Sequence, residues 1–455
     1  MNTASSSSGR HIAFISTRFA GTDGVSLETE KWATVLERLG HTCFYFAGSC
    51  DRPAERSRVV AEVFFKHPLV EAIHGAAFAS EWGSPKQVED ANPEIYPLYT
   101  DAFSIYLRPP RLTRQIHELK DYLKAQLYAF VRDFAPELLI VENALTIPLN
   151  LPLGLALTEF VAETGFPTIA HHHDFFWERQ RFLVNCVWDY LNMAFPPHLP
   201  SIRHVVINSS AGNQLSLRTG ISASLIPNVM DFDRPPAPPD EYAADVRQAL
   251  GVDSGELMFL QPTRVVPRKG IEHAIELTRR VGLKARLVIS HASGDEGHDY
   301  ERRLREYAAE LNAPVNFISD IIRDRRGRMP DGRKTYTLGD MYPLADLITY
   351  PSTIEGFGNA FLEAIYFRRP LVLNNYTIFH IDIKPKGFRV IEFDGYITEA
   401  TLSQTRQVLE NASLAQEMAE HNFQLAKRHY SYAMLERRLQ TLIADCFGEE
   451  REPGT

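Results

Sequence analysis

Two glutamates, Glu355 and Glu363, stand on either side of the run Gly356-Phe357-Gly358-Asn359. An ionised carboxylate only accepts hydrogen bonds, and one carboxylate can take both hydroxyls of a diol. Gly356 and Gly358 permit backbone that other residues resist, and they let a ligand come close. Leu362, Ile365 and Tyr366 mark the buried side of a helix that starts near Asn359, and the free amides of a helix start favour an anion. Two acceptors bracketing amide donors suit a ligand with hydroxyls at both ends and phosphates in the middle. That is the chemistry of a nucleotide-sugar. Glu363 also has a plainer reading, because a carboxylate in a first turn favours the helix by itself.

Arg264 and Lys269 lie in the turn "TRVVPRKG", between an apolar strand-like run and a helix that starts near Gly270. Two cations at such a junction form a phosphate site or a solvated basic turn. In the first half, "HHHDFFWERQRF" follows the run "PTIA". A triple histidine invites a metal, but neighbours on a strand end point in different directions, so no metal is expected. Arg179 and Arg181 would attract an acidic or phosphorylated acceptor, or they line a solvated helix face. Glu142 and Asn143 end the run "PELLIVEN" and are acceptor-site candidates.

These residues follow short apolar runs, which places them at strand exits. "HIAFIST", a helix with Trp32, Val35, Leu36 and Leu39 on one face, and "HTCFYFAG" open a βαβ unit. Residues 51–111 lack clean periodicity and read as an insertion of unassigned structure. A helix carrying Ile116, Leu119, Leu123, Leu127, Phe130 and Phe134 follows, then strands at "PELLIVEN", "FPTIAHHHD" and "HVVINSS". Pro235, Pro236, Pro238 and Pro239 stiffen a link, so a domain boundary is set near residue 232. Beyond it the alternation restarts with "ELMFLQPT", "ARLVIS", "VNFIS", "LITYPS" and "PLVLNN", and a helix is expected over about 412–447. The expected class is α/β, with two Rossmann-like domains flanking a cleft. In open parallel sheets ligands bind beyond the carboxyl ends of the strands. No repeat of roughly 20–50 residues is visible.

The 455 residues allow two or three domains, and 44% hydrophobic with 23% charged residues is ordinary for a globular chain. A net charge of −9 argues against nucleic acid as a partner. Cys43, Cys50, Cys186 and Cys446 form no CxxC pair, which fits a reducing compartment. The polar start "MNTASSSSGR" reads as a disordered tail, and no run is long and apolar enough to span a membrane. A cytoplasmic location without membrane insertion is expected.

The spacing of Glu355 and Glu363, the turn "TRVVPRKG" and the linker segment "IPNVMDFD" occur in an order that resembles the retaining nucleotide-sugar glycosyltransferases of the GT-B fold, family four. That group includes sucrose-phosphate synthases and many mannosyl- and glucosyltransferases. The likeness is close over about 205–447 and looser over 11–204. It implies a tail over 1–10, an acceptor-binding domain over 11–231, a donor-binding domain over 232–425, and a helix over 426–447 crossing back to the first domain. It implies that Arg264 and Lys269 bind the donor diphosphate, that Glu355 contacts sugar hydroxyls, and that Glu363 holds the ribose. Backbone from Gly356 through Phe357 and Gly358 to Asn359 would contact sugar and phosphate, and Ile321 would frame the base. Gly24, in "RFAGTDGVS", matches a glycine-rich turn near donor phosphate and acceptor, although GxGxxG is absent. His173 best matches a histidine that touches the donor sugar, with His172 as the alternative, and Asp174 follows it. Asp231-Phe232-Asp233 matches a linker segment of the family and not a metal site. The implied reaction moves a hexose, with retention, from UDP-glucose or GDP-mannose to a small polar acceptor, anionic or phosphorylated, without cofactor or metal. A sugar-nucleotide epimerase, a phosphorylase with a pyridoxal lysine, and a non-catalytic nucleotide-sugar binder are the alternatives. Oligomeric state stays open.

Overall fold

The computed structural model describes residues 9–21, 23–78, 106–292 and 297–449. Most of the expected tail and residues 79–105 of the 51–111 segment lie outside the described residues. The chain divides into two compact units, Met1–Pro227 with Leu435–Thr455, and Asn228–Met434.

In the first unit, strands β1 (His11–Ile15), β2 (Thr42–Ala47), β3 (Ser57–Val59), β4 (Leu138–Glu142), β5 (Thr168–His172), β6 (Ile202–Val206) and β7 (Ala223–Leu225) form one sheet in the order β3-β2-β1-β4-β5-β6-β7. Every pairing is parallel. Helices α1 (Gly24–Arg38), α2 (Pro68–Ala77), α3 (Pro110–Phe134), α4 (Leu151–Thr164), α5 (Trp188–Ala194) and α6 (Ser209–Thr219) connect and cover it. Strands covered on both faces are near-continuous apolar runs, as in "LLIVE", which is wholly buried and apolar up to its last residue, Glu142. The Asp23 carboxylate caps α1 by accepting from the amides of Val25 and Ser26, and Trp32, Val35 and Leu36 are buried on the helix. The 51–111 segment is less of an insertion than expected. Its residues Ser57–Val59 form the sheet's edge strand, and three residues are too few to show a period.

In the second unit, β8 (Leu257–Gln261), β9 (Ala285–Ile289), β10 (Val315–Phe317), β13 (Leu347–Tyr350), β14 (Leu371–Asn374) and β15 (Ile391–Phe393) form a parallel sheet in the order β10-β9-β8-β13-β14-β15. A hairpin of β11 (Gly327–Arg328) and β12 (Lys334–Thr335) stands apart from it. The helices are α7 (Val246–Ala249), α8 (Ile271–Arg280), α9 (Asp299–Glu310), α10 (Leu338–Met341), α11 (Asn359–Tyr366), α12 (Glu399–Glu410) and α13 (Ala412–Tyr430), followed by α14 (Tyr432–Phe447). The single helix expected over 412–447 is thus two helices. Ser431 between them is extended, with φ −85° and ψ 165°. Its neighbour Tyr430 accepts a backbone hydrogen bond from Met230 at 2.9 Å, and Met230 bridges to Ser431. The linker strand therefore competes successfully for backbone groups that a continuous helix would use.

Strand order reverses between β1 and β4 in one sheet and between β8 and β13 in the other. The loops leaving such a pair diverge to opposite sides, which opens a crevice at the carboxyl ends. Both groups of chemistry-bearing residues sit at or beside these points.

Candidate functional site

In the second unit, β8 exits into the turn that carries Arg264, which is exposed and has no side-chain partner among the described residues. A short turn, Pro267–Lys269, delivers the chain to Gly270 with φ 56°. A Cβ there would lie 2.5 Å from the Pro351 carbonyl oxygen, so only glycine lets the β8 and β13 exits close together. The Thr353 amide then donates to the Arg268 carbonyl at 2.9 Å. This lacing brings Glu355 into an ion pair with Lys269, and the Arg268 Nη1 lies 3.8 Å from Glu355 Oε2. The Lys269 ammonium also stands 5.5 Å from the centre of the Tyr350 ring.

Burial lowers the proton affinity of the Lys269 ammonium below its ordinary value, against the pull of Glu355. Burial pushes the Glu355 carboxyl up, but Lys269 and Arg268 more than offset it and hold it below the usual carboxylate range. The Glu355 carboxyl is therefore ionised at neutral pH.

Gly358 has φ 122°, and a Cβ there would lie 2.5 Å from the Tyr376 hydroxyl oxygen. Of the two glycines between the glutamates, Gly358 is the one that uses left-handed backbone. The Tyr376 hydroxyl donates to the Phe357 carbonyl at 2.8 Å, which holds the loop in this path. α11 then starts at Asn359 with no side-chain cap. Asn228 donates to the Asn359 side-chain oxygen at 2.7 Å, tying the linker segment to the helix start. Glu363, just inside the helix, accepts from the Tyr342 hydroxyl at 2.6 Å. Ile321 is buried, its amide donates to Ile318 and its carbonyl accepts from Tyr336, so both backbone groups are already engaged.

The first unit places Gly24 as the opening residue of α1, directly behind the capping Asp23. Glu142 ends β4 and is fully buried. It does not stand open as an acceptor contact would. Its carboxylate accepts from His171 Nδ1 at 3.0 Å and from His173 Nε2 at 2.9 Å. The Trp32 indole stacks on His171 at 4.2 Å. His172 faces the other side of β5, bonded to Thr146 and, at 2.9 Å, to His204. The strand's alternation thus sends His171 and His173 one way and His172 the other. Asn143, with φ 58°, accepts from the His173 amide at 2.8 Å and donates to Asp174 at 3.1 Å. Asp174 is in turn ion-paired with Arg179. The Arg181 guanidinium lies 4.8 Å over the Phe182 ring.

Burial pushes the Glu142 carboxyl up, but the two imidazoles outweigh it and bring it down to about 2. Burial alone would lower His173, and its bond to Glu142 reverses the sign, holding it above its ordinary value. Burial keeps His171 below its ordinary value. The donor atoms of Glu142, His171 and His173 lie within 4.8 Å of one another, a spacing a metal ion could also use. Sequence reasoning missed His171, Trp32 and the fully buried Glu28 on α1. The i, i+2 spacing of His171 and His173 on one strand face was the available signal. In the other unit it missed Arg268, Tyr342 and Tyr376.

Asp231, Phe232 and Asp233 do not converge as ligands. Phe232 is buried against Phe423 at 5.3 Å, and Asp233 pairs with Lys427 at 2.8 Å.

Residues 243–425 match the family described as glycosyl transferases group 1. The chain is 30% identical over 465 residues to the mannosylglucosylglycerate synthase of Thermotoga maritima, covering 93% of this chain and 97% of that protein. It is 29% identical over 402 residues to the mannosylglucosylglycerate synthase of Petrotoga mobilis, covering 84% and 86%. A glycosyltransferase from Rickettsia africae superposes with a TM-score of 0.65 at 13% identity, over 97% of this chain and 100% of that one. No helix among the described residues is long and apolar enough to cross a membrane. Likeness to a relative along nearly the whole chain, joined to two parallel-sheet α/β units, makes this protein a member of the group 1 glycosyl transferases with the GT-B fold.

Proposed function

We propose that the protein moves a hexosyl group, with retention, from a nucleotide-sugar to a hydroxyl of a small carboxylate-bearing acceptor. Mannosyl transfer to a glucosylglycerate-type acceptor is the first reaction to test, because two relatives matched over most of their length are named for such a product. The observation that carries the reading is the meeting of Lys269, Arg268 and Glu355 at the β8 and β13 exits, with Glu363 one element further on. Cations and uncapped amides suit the diphosphate, Glu355 the sugar hydroxyls and Glu363 the ribose diol.

In the proposed step the bond from the anomeric carbon to the diphosphate oxygen breaks. The acceptor oxygen forms the new bond on the same face, and its proton passes to the departing phosphate oxygen. Arg264 and Lys269 stabilise the charge that develops on that phosphate. Arg179, already an ion-pair partner of a carboxylate, is the proposed acceptor-carboxylate ligand, alongside Arg181. His173, held by Glu142, contacts the donor sugar. Asp174 and Asn143 position that segment.

The test pairs GDP-mannose and UDP-glucose with glucosylglycerate, glycerate and 3-phosphoglycerate, with and without excess EDTA. Nucleoside diphosphate release and the anomeric coupling of the product are measured. An α-linked product formed from an α-linked donor, at a rate EDTA leaves unchanged, supports the reading. Inversion, or release of diphosphate without any glycosylated product, overturns it.

A further inference from the structure

The β9 exit carries a histidine that the proposed donor site does not use. β9 pairs with β8, Gln261 opposite Ile289, so the residues after each strand are neighbours. The Val265 amide donates to the Ala292 carbonyl at 3.2 Å, which fastens the β9 exit to the turn that carries Arg264. His291 sits inside that fastening. Its Nδ1 lies 2.7 Å from Ser290 Oγ, and Ser290 Oγ lies 3.3 Å from the Gln261 carbonyl oxygen. Nε2 has no partner among the described residues.

From this geometry we propose that His291 is a further ligand of the donor diphosphate, binding through Nε2 beside Arg264 and Lys269. The proposal rests on the nucleotide-sugar reading above. Ser290 suits an imidazole that changes its proton count. With neutral His291, the Ser290 hydroxyl donates to Nδ1 and leaves the proton on Nε2. With the imidazolium, Nδ1–H donates to Ser290, whose own proton turns to the Gln261 carbonyl. Either way Nε2–H is presented as a donor.

Three charged groups act on the ring. Arg264 and Lys269 come from the β8 exit, and Asp324 from the segment after β10. Burial, then Arg264, hold the imidazole below its ordinary value, with Asp324 opposing. These influences keep His291 neutral at pH 7. A diphosphate placed between the same cations reverses the sign of the local field and favours the imidazolium. Donor binding would then draw a proton from solution.

The test is titration calorimetry of the full chain with GDP and with UDP, at pH 6, 7 and 8, in buffers of different ionisation enthalpy. The wild type should take up a proton at pH 7 and bind more tightly at pH 6. His291→Ala should bind about tenfold more weakly, the loss of one charge-assisted hydrogen bond, with no proton uptake. His291→Gln keeps a neutral donor, so it should recover part of the affinity but not the uptake. Circular dichroism checks that both variants fold. If the wild type binds a nucleotide and both variants bind it equally well with the same proton uptake, the His291 assignment is overturned and the transferase reading stands. If the wild type binds neither GDP nor UDP, both readings fall.

Discussion

Lys269 and Glu355 occupy each other, and that pairing has a cost as well as a use. A buried ion pair loses hydration, and removing one partner strands the other. Lys269→Ala should therefore do two things. It should lower the transfer rate by about 10²–10³-fold, the range for losing one preorganised charge-stabilising donor. It should also lower thermal stability, and the added change Glu355→Ala should recover part of that stability without recovering rate. A rate within twofold of wild type would remove Lys269 from the chemistry. Glu142 supports a prediction in pH. Its folded value of about 2 lies below the ordinary carboxylate value. Its contribution is thus present above the unfolded value and is lost as pH falls from about 5 towards 2. His173, held above its ordinary value, contributes below that value and loses its contribution as pH rises through the folded one. Glu142→Gln should flatten the acid fall in melting temperature and shift the His173 titration, followed by NMR, to lower pH. An unchanged His173 titration would show that Glu142 does not govern it. Lys269, Glu355 and His173 could be singled out as candidates from the sequence. Their partners were not, because Lys269 meets Glu355 only once β8 and β13 are adjacent, and Glu142 meets His173 only through the β4–β5 pairing.

Loops at strand exits hold these groups, and two glycines set the path of the second unit's loops. Gly358 has φ 122° and no room for a Cβ beside Tyr376, and Gly270 has none beside Pro351. Gly358→Ala should destabilise the second unit by about 1–3 kcal/mol, the usual cost of such backbone strain. It should also weaken donor binding, because α11 and Glu363 start from that turn. Urea melts and nucleotide titration check both effects, and a variant with wild-type stability and affinity would contradict the role given to the turn. Elements with a long clean period were legible: α1, α3, α8 and the apolar strands. β3, β7 and β15, each three residues, were not, because so short a run carries no period, whereas β10, equally short, was read only from its place in the alternation. Nor was the break at Ser431. The amphipathic pattern runs through it, and the interruption comes from a backbone bond to Met230, which is remote in sequence.

At the scale of the whole molecule, the chain's end belongs with its beginning. Residues from Leu435 onward group with the first unit although the second unit intervenes in sequence. Leu435, Leu439, Leu442 and Ile443 are buried on α14. The Phe447 ring lies 3.8 Å under the Arg10 guanidinium, and the Arg203 guanidinium donates to the Asp445 carbonyl at 3.4 Å. Each fully buried aliphatic side chain is worth roughly 1.5–3 kcal/mol relative to exposure. A first unit without these contacts loses several such terms, an amount comparable with the whole stability of a domain. A chain ending at Met434 should therefore open its first unit before its second. In hydrogen exchange, amides of β1 and β6 should lose protection by orders of magnitude while those of β8 and β13 keep theirs. The opposite order, or equal protection in both, would mean that α14 contributes little to the unit with which it groups. Because the helix begins in one unit and is buried in the other, substitutions at Leu439 should lower first-unit stability without altering nucleotide affinity. Changes at Lys269 should do the reverse.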